Sequence, residues 1–422
     1  MRIAVIGNSL QSLVASTLLA SVGNNVVLFC ASDLEGTLEN EPGLITLHQE
    51  QIDAGRLVRL SEDAPQTEKF KVLILAEVDL NNIQFEFRKL LKNSLEVESA
   101  IVILTPTKIG EAKEFARDLS TNGICTSVSS VPLLLREGRA IQDFSRPESI
   151  VIGCDTADSF EIIESLFYPF NRVKNVVKHV STKEAEFTCF ASHAMLATRL
   201  SFINEMASLA ERSEVDIEIV RESMGLDPRI GHEYLYPGCG YGGRALAENV
   251  DKVAFQLRKR TDDLGLLDVV SKINERQKDL LFRKIWNFFN TELKGKKVAI
   301  WGASFKPGSS TIERAPSISL IESLIAQSAT VAVYDPMANN NLENRFGGNN
   351  KIVISKNAES ALDGADVLAI CTEWKEFWSP DYNLLDSKLK SKAIFDGRNI
   401  LNPEQAERWG IKYFGIGRGR AI

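Results

Sequence analysis

Only four histidines occur in 422 residues, and one of them, His193, stands four residues after Cys189 in a stretch without glycine or proline. At i and i+4 on one helix face, a thiol and an imidazole can form a thiolate/imidazole pair or simply pack. Another thiol, Cys239, lies in the run Pro237-Gly238-Cys239-Gly240-Tyr241-Gly242-Gly243, whose glycines let backbone groups approach a ligand closely. Arg244 follows at once; it can meet an anion or pair with Glu248 one turn later. Lys306, after Phe305, and Arg398, after Phe395-Asp396-Gly397, both follow strand-like segments, where a cation at the mouth of a sheet can hold a phosphate. Near the N-terminus, Gly7-Asn8-Ser9-Leu10-Gln11-Ser12 has the layout of a dinucleotide-binding turn with Ser9 and Ser12 in the second and third glycine slots. The six cysteines (Cys30, Cys125, Cys154, Cys189, Cys239, Cys371) include no CxxC pair and no Cys/His cluster, so neither a disulfide framework nor a metal site is expected.

These residues need elements to hold them. From residue 1 to about 180, β-branched runs alternate with helical stretches: Ile3 to Ile6, Val26 to Phe29, Val72 to Leu75, Ile101 to Leu104 and Ile150 to Ile152. That alternation predicts βαβ units on a parallel sheet. Lys183 to Arg212 carries Phe187, Phe190, Ala194, Ala197 and Leu200 at three- and four-residue spacing, predicting one long amphipathic helix. After the glycine-rich loop from Tyr236 to Gly243 the helical pattern resumes to about Leu293. A second strand-turn unit then opens at Lys297 to Gly302, followed by runs at Val331 to Tyr334, Ile352 to Ile354, Val367 to Ile370, Ala393 to Phe395 and Tyr413 to Gly415. Asn339 to Asn341 and Gly347 to Asn350 are expected to form an exposed polar loop. The fold class is α/β: two Rossmann-like, doubly wound domains, 1–182 and 294–422, joined by a long central helix and a helical middle domain, 183–293.

Composition bounds the function. A content of 44% hydrophobic and 25% charged residues is that of a globular protein, and a net charge of -7 without a clustered basic face excludes nucleic acid and anionic membrane surfaces as main partners. No apolar run approaches the roughly 20 residues needed to cross a bilayer, and Met1 leads directly into a strand without a charged leader. A cytoplasmic location is expected.

Several segments resemble the UDP-glucose/GDP-mannose dehydrogenase family, and the resemblance runs the length of the chain. They are Leu135-Arg136-Glu137-Gly138-Arg139-Ala140, Phe202-Ile203-Asn204-Glu205, Leu226-Asp227-Pro228-Arg229-Ile230-Gly231, Pro237 to Gly243, Trp301-Gly302-Ala303-Ser304-Phe305-Lys306-Pro307, Thr372-Glu373-Trp374-Lys375 and Phe395-Asp396-Gly397-Arg398-Asn399. The resemblance implies an N-terminal NAD domain, a homodimer built on the long helix, and a C-terminal nucleotide-binding domain. It also implies oxidation of a sugar C6 alcohol twice, with two NAD molecules, through a cysteine-linked thiohemiacetal.

Residue by residue, the implied cofactor contacts are degraded. Gly7 is kept, but Ser9 and Ser12 replace glycines, and Cys30 follows the second strand where the family has a ribose-binding acid, a charged hydrogen bond worth roughly 1.5 to 3 kcal/mol. The family's Gly-Thr-Pro turn is replaced by Ala76-Glu77-Val78, and Glu313 stands where a cofactor-contacting arginine is implied, with Arg314 shifted by one. The catalytic slots are altered as well. The family's Gly-Gly-Ser-Cys-Phe-Pro-Lys-Asp reads Gly242-Gly243-Arg244-Ala245-Leu246-Ala247-Glu248-Asn249, which removes the nucleophile at Ala245 and the water-activating acid at Asn249. The oxyanion-binding Lys and its Asn partner fall at Cys189 and His193, the acid/base Glu at Leu133, and the water-positioning hydroxyl in the region of Thr105-Pro106.

The nucleotide-sugar contacts are kept. The resemblance assigns Lys306 and Arg398 to the UDP diphosphate and ribose, and Arg229 to the neighbouring subunit's sugar site. It assigns Asn204, Tyr236, Gly238, Gly240, Gly242 and Gly243 to sugar and uridine, while Glu137 and Phe305 retain their slots and Arg244 is a candidate for a sugar carboxylate. The expected function is UDP-sugar binding without dehydrogenation, as a sensor, regulator or partner of an active paralogue in polysaccharide synthesis, with no bound cofactor. One alternative is a repurposed enzyme acting on a UDP-sugar without NAD. Another is residual NAD-dependent UDP-glucose 6-dehydrogenase activity.

Overall fold

Ile3 to Ile6 are buried on both faces, as a central parallel strand covered by helices requires. This strand nucleates the first of two sheets in the structure, a computed structural model that describes residues 1–30, 34–61, 68–76, 80, 95–172, 175–261 and 265–418, without the side chains of residues 35, 97, 244, 245 and 259–261. The chain divides into two compact units, Met1–Ala191 and Ser192–Ile422.

The N-terminal unit holds β1 (Arg2–Ile6), β2 (Asn25–Phe29), β3 (Leu57–Leu60), β4 (Phe70–Leu75), β5 (Leu95–Ile103), β6 (Ser127–Ser130), β7 (Ile150–Gly153) and β8 (Val177–Val180). Their order is β3-β2-β1-β4-β5-β6-β7-β8, parallel throughout except for a single antiparallel pairing of Ser130 with Gly153 between β6 and β7. Chain order reverses between β1 and β4, the place where open α/β sheets form a ligand crevice. Gly7, at φ +144°, stands there because a Cβ would overlap the Ala76 carbonyl oxygen.

In the C-terminal unit β9 (Lys297–Trp301), β10 (Thr330–Tyr334), β11 (Ile352–Ile354), β12 (Val367–Ile370), β13 (Ala393–Asp396) and β14 (Lys412–Phe414) form an all-parallel sheet in the order β11-β10-β9-β12-β13-β14. The same reversal occurs between β9 and β12, where Gly302 faces Thr372. The predicted long helix runs from Thr182 to Arg212, with the boundary between units inside it. The helical middle shares one core with the second sheet: Ile203, Ala207, Ile217, Leu281 and Ile285 pack with Val298, Ile300, Val331 and Phe395.

Two sequence expectations change. Asn339 begins a helix, Asn339–Phe346, rather than an exposed loop, because Asn339 bonds the backbone at Asp335 and Ser355 while Asn341 donates to the Ser310 carbonyl. The Gly347 to Asn350 end of that segment is a turn. Phe187, assigned to the buried face of the long helix, is 59% exposed, whereas Phe190 and Ala197 are buried. The turn at Glu77-Val78 lies outside the described residues.

One buried carboxylate organises the second sheet's turn. Asp335, fully buried after β10, accepts at Oδ2 from the N–H groups of Ala303 and Ser304, the Ser304 hydroxyl and the Trp374 indole, and at Oδ1 from Met337 and Ala338. Asp335→Ala would strand these buried donors; we expect a loss of about 3 kcal/mol in urea unfolding, with Asp335→Asn retaining part of it.

Candidate functional site

The glycine-rich loop is buried from Pro237 to Gly243, and helices hold it by its backbone. Asn204, 3% exposed on the long helix, accepts the Gly238 N–H at 2.9 Å. On the helix Leu266–Lys278, Asn274 bonds both the N–H and the carbonyl of Tyr241, and Gln277 donates to the Gly238 carbonyl at 2.7 Å. Sequence reading missed Asn274 and Gln277; their signal was two amides three residues apart on the buried face of a helix. The far end of the loop is set by the Gly243 N–H, which donates to the Glu313 carbonyl at 3.0 Å.

Absent side chains let this loop touch its neighbours. A Cβ on Gly238 would lie 3.0 Å from Arg398 Nη1, and one on Gly243, at φ +80°, would lie 2.7 Å from the Phe305 ring. Lys306 stands beside that ring, its Nζ 5.6 Å from the centroid. The structure therefore brings together Asn204, Gly238, Gly243, Phe305, Lys306 and Arg398. Gly240 faces Lys278 and Asn274, and Gly242 lies against Arg314 and Ala315.

Arg398 is clamped at its base and open at its tip. Buried Asp396 fixes the backbone by accepting from Arg398 N and Leu401 N, each at 2.9 Å, and from the Tyr413 hydroxyl. Arg398 Nε donates to the Cys371 carbonyl at 2.8 Å and lies 3.2 Å from Glu373 Oε2. Among the described residues, neither Nη group makes a hydrogen bond. A planar fork with two free N–H₂ groups suits bidentate recognition of phosphate or carboxylate.

Other expected contacts stand apart. Arg229, with 87% of its side chain exposed, pairs with Asp227 at 2.6 Å. Tyr236 is 58% exposed beneath the Arg221 guanidinium, 4.6 Å from its ring centroid. Glu137 belongs to the N-terminal unit and is half-buried. The side chains of Arg244 and Ala245 lie outside those described, and Glu248 pairs with Lys252 at 3.5 Å. Arg314 pairs with Asp251 at 2.8 Å.

At the first sheet's turn, two hydroxyls form a reciprocal cap on the helix start. Ser9 caps the helix Leu10–Ser21: its Oγ accepts the Ser12 N–H at 3.3 Å, while Ser12 Oγ accepts the Ser9 N–H at 3.0 Å and donates to the Ser9 carbonyl at 2.7 Å. Ser9 is 6% exposed and Ser12 fully buried. Cys30, also buried, donates its backbone N–H to Leu60.

Among the described side chains, the altered catalytic slots are packed or neutral. Leu133 is buried within the hydrophobic core of the N-terminal unit. Burial pushes the Cys189 thiol up to about 12. His193 Nδ1 lies 2.7 Å from the Asn249 amide nitrogen, and burial pushes its imidazole down to about 4. A thiol that keeps its proton and a ring that refuses one do not make the charged pair considered for Cys189 and His193.

Residues 1–171, 183–276 and 299–403 match in turn the NAD binding, central and UDP binding domains of the UDP-glucose/GDP-mannose dehydrogenase family. Over 445 residues the chain is 33% identical to the UDP-glucose 6-dehydrogenase of Pseudomonas aeruginosa, covering 100% of this chain and 98% of that one. A putative UDP-glucose 6-dehydrogenase of Bacillus subtilis is 30% identical, with 99% and 100% covered. The fold is similar to a UDP-D-ManNAc dehydrogenase from Pyrococcus horikoshii (TM-score 0.83, 23% identity, 100% of both chains). It is also similar to a UDP-glucose dehydrogenase from Pyrobaculum islandicum (TM-score 0.82, 24% identity, 99% and 97% covered).

The buried imidazole gives a pH prediction. Its folded pKa of about 4 lies below the ordinary 6.5, so the unfolded chain binds the extra proton first. Stability from this group is complete above pH 6.5 and is lost as pH falls toward 4. His48, lowered to about 4 by burial and then by Arg59, acts in the same direction. Thermal unfolding of His193→Gln between pH 7 and pH 4.5 should therefore be less acid-sensitive than that of the parent, with the slope further reduced by His48→Gln.

Proposed function

The chain belongs to the UDP-glucose/GDP-mannose dehydrogenase family, and within it we propose a member that binds a UDP-sugar but does not carry out the family's oxidation. The observation that carries this reading is the Arg398 guanidinium, anchored through Nε and free at both Nη groups beside Gly238. A diphosphate can take the two free donors, with Lys306 and the Phe305 ring close to the same loop. Asn204 and the buried glycine backbone supply a preformed wall for the remainder of the ligand.

The other half of the reaction lacks support. The Ser9/Ser12 cap engages two of the N–H groups at the helix start, serines replace two glycines of the turn, and Cys30 offers no carboxylate to a ribose, which weakens the fit to NAD. Ala245 has no nucleophile, and Leu133 cannot move a proton. Loss of groups that act as a unit lowers turnover by several orders of magnitude even when one alone is removed. The protein then acts as a sensor, a regulator or a subunit partner of an active paralogue in nucleotide-sugar and polysaccharide metabolism.

Isothermal titration with UDP-glucose, UDP-glucuronate and UDP tests the nucleotide site. Micromolar binding is expected, weakened about 10-fold, or ~1.4 kcal/mol, by Arg398→Lys, because an ammonium cannot reproduce the planar fork. Binding unaffected by that substitution would remove Arg398 from the site.

Assembly is proposed through the long helix. Met195, Phe202 and Leu209 recur every seventh residue and are 61%, 44% and 51% exposed, an apolar seam that a second copy can cover. Light scattering should give a dimer mass for the parent and a monomer mass for Phe202→Asp/Leu209→Asp; a parent that is already monomeric would sink this assignment. Among the described residues no helix is long and apolar enough to cross a membrane.

A further inference from the structure

Two thiols adjoin the anchor of Arg398 and have no part in the reading above. Cys239 sits in the glycine-rich loop and Cys371 directly follows β12; they are 0% and 1% exposed. Cys239 Sγ donates to the Cys371 carbonyl oxygen at 3.8 Å, which places the two thiol-bearing residues side by side. Gly397 makes room for this approach, since a Cβ there would lie 2.9 Å from Cys239 Sγ. The same Cys371 carbonyl receives Arg398 Nε at 2.8 Å. We infer that Cys239 and Cys371 form a reversible disulfide that couples this site to the thiol redox state.

Their surroundings differ enough to assign the attacking sulfur. The hydrogen bond from Cys371 and the charge of Arg398 hold the Cys239 thiol below the usual thiol range in spite of burial, while the bond to Cys239 and burial push Cys371 well above it. The oxidant is a peroxide. Cys239 Sγ, as thiolate, attacks one peroxide oxygen; the O–O bond breaks and the departing hydroxide takes up the proton that Cys239 released, leaving water and a sulfenic acid. Cys371 Sγ then attacks the Cys239 sulfur, the S–O bond breaks, and the oxygen leaves as a second water with the Cys371 proton. Two thiols give up two electrons, and hydrogen peroxide is reduced to two waters.

Both sulfurs are shielded, so the first step proceeds through local opening of the loop. The new bond tethers the loop to the end of β12 and disturbs the carbonyl that anchors Arg398, weakening nucleotide binding. That consequence, unlike the pairing itself, rests on the reading of Arg398 as a nucleotide ligand.

The full-length protein is treated with hydrogen peroxide, its remaining thiols are blocked, and it is mapped by mass spectrometry after digestion without reductant. UDP affinity is measured before oxidation, after it, and after dithiothreitol. The expected result is a Cys239–Cys371 linked peptide in most molecules, UDP affinity at least tenfold weaker, and recovery on reduction. Cys371→Ser should show no link and no peroxide-dependent change in its own UDP affinity; Cys239→Ala serves if that variant does not fold. Oxidation confined to exposed Cys125 or other thiols, with positions 239 and 371 unlinked, overturns the pairing. A linked protein with unchanged UDP affinity overturns the coupling. If reduced protein fails to bind UDP, the nucleotide reading fails instead, and the peptide map still decides the pairing.

Discussion

Arg398 can serve a ligand only because its base is held by other groups. Asp396 fixes the backbone turn, the Cys371 carbonyl takes Nε, and the missing side chain of Gly238 leaves room beside Nη1. The flanking chain is arranged around that need. Asn204, Asn274 and Gln277 hold the loop by its amides, so its glycines approach Arg398 and Phe305 without relying on side chains of their own. A preorganised donor of this kind loses little freedom on binding, which favours affinity without chemistry.

The two sheets share a topology and treat the crevice in opposite ways. Each has a glycine after its first strand, at the point where strand order reverses. In the first sheet the serines at positions 9 and 12 bond each other's N–H groups. In the second, the acid that follows the second strand is present, but Asp335 turns inward and takes the N–H groups of Ala303 and Ser304. In each sheet, side chains of the turn engage two of its backbone N–H groups. What remains open lies further along the second sheet, after β13, at Arg398.

Much of this was legible in the sequence because it depends on local pattern. Buried parallel strands read as unbroken apolar runs, and Lys183 to Arg212 lacks any helix breaker. The glycine spacing from Gly238 to Gly243 marked a close approach before the partner was known. Less was visible where polar residues serve structure: β6 (Ser127–Ser130) carries three serines, and Asn339 starts a helix through bonds to residues near it only in space. The contacts of His193 with Asn249, 56 residues on, and of Cys239 with Cys371, 132 residues on, belong to tertiary packing and leave no periodic trace.

Ligand affinity reports directly on the proposed split between a nucleotide site that binds and a cofactor site that does not. Titrating NAD and UDP-glucose separately into the same preparation of the reduced protein should give saturable micromolar binding of UDP-glucose and no binding of NAD. Micromolar binding of NAD, with NADH formed once UDP-glucose is added, would contradict it.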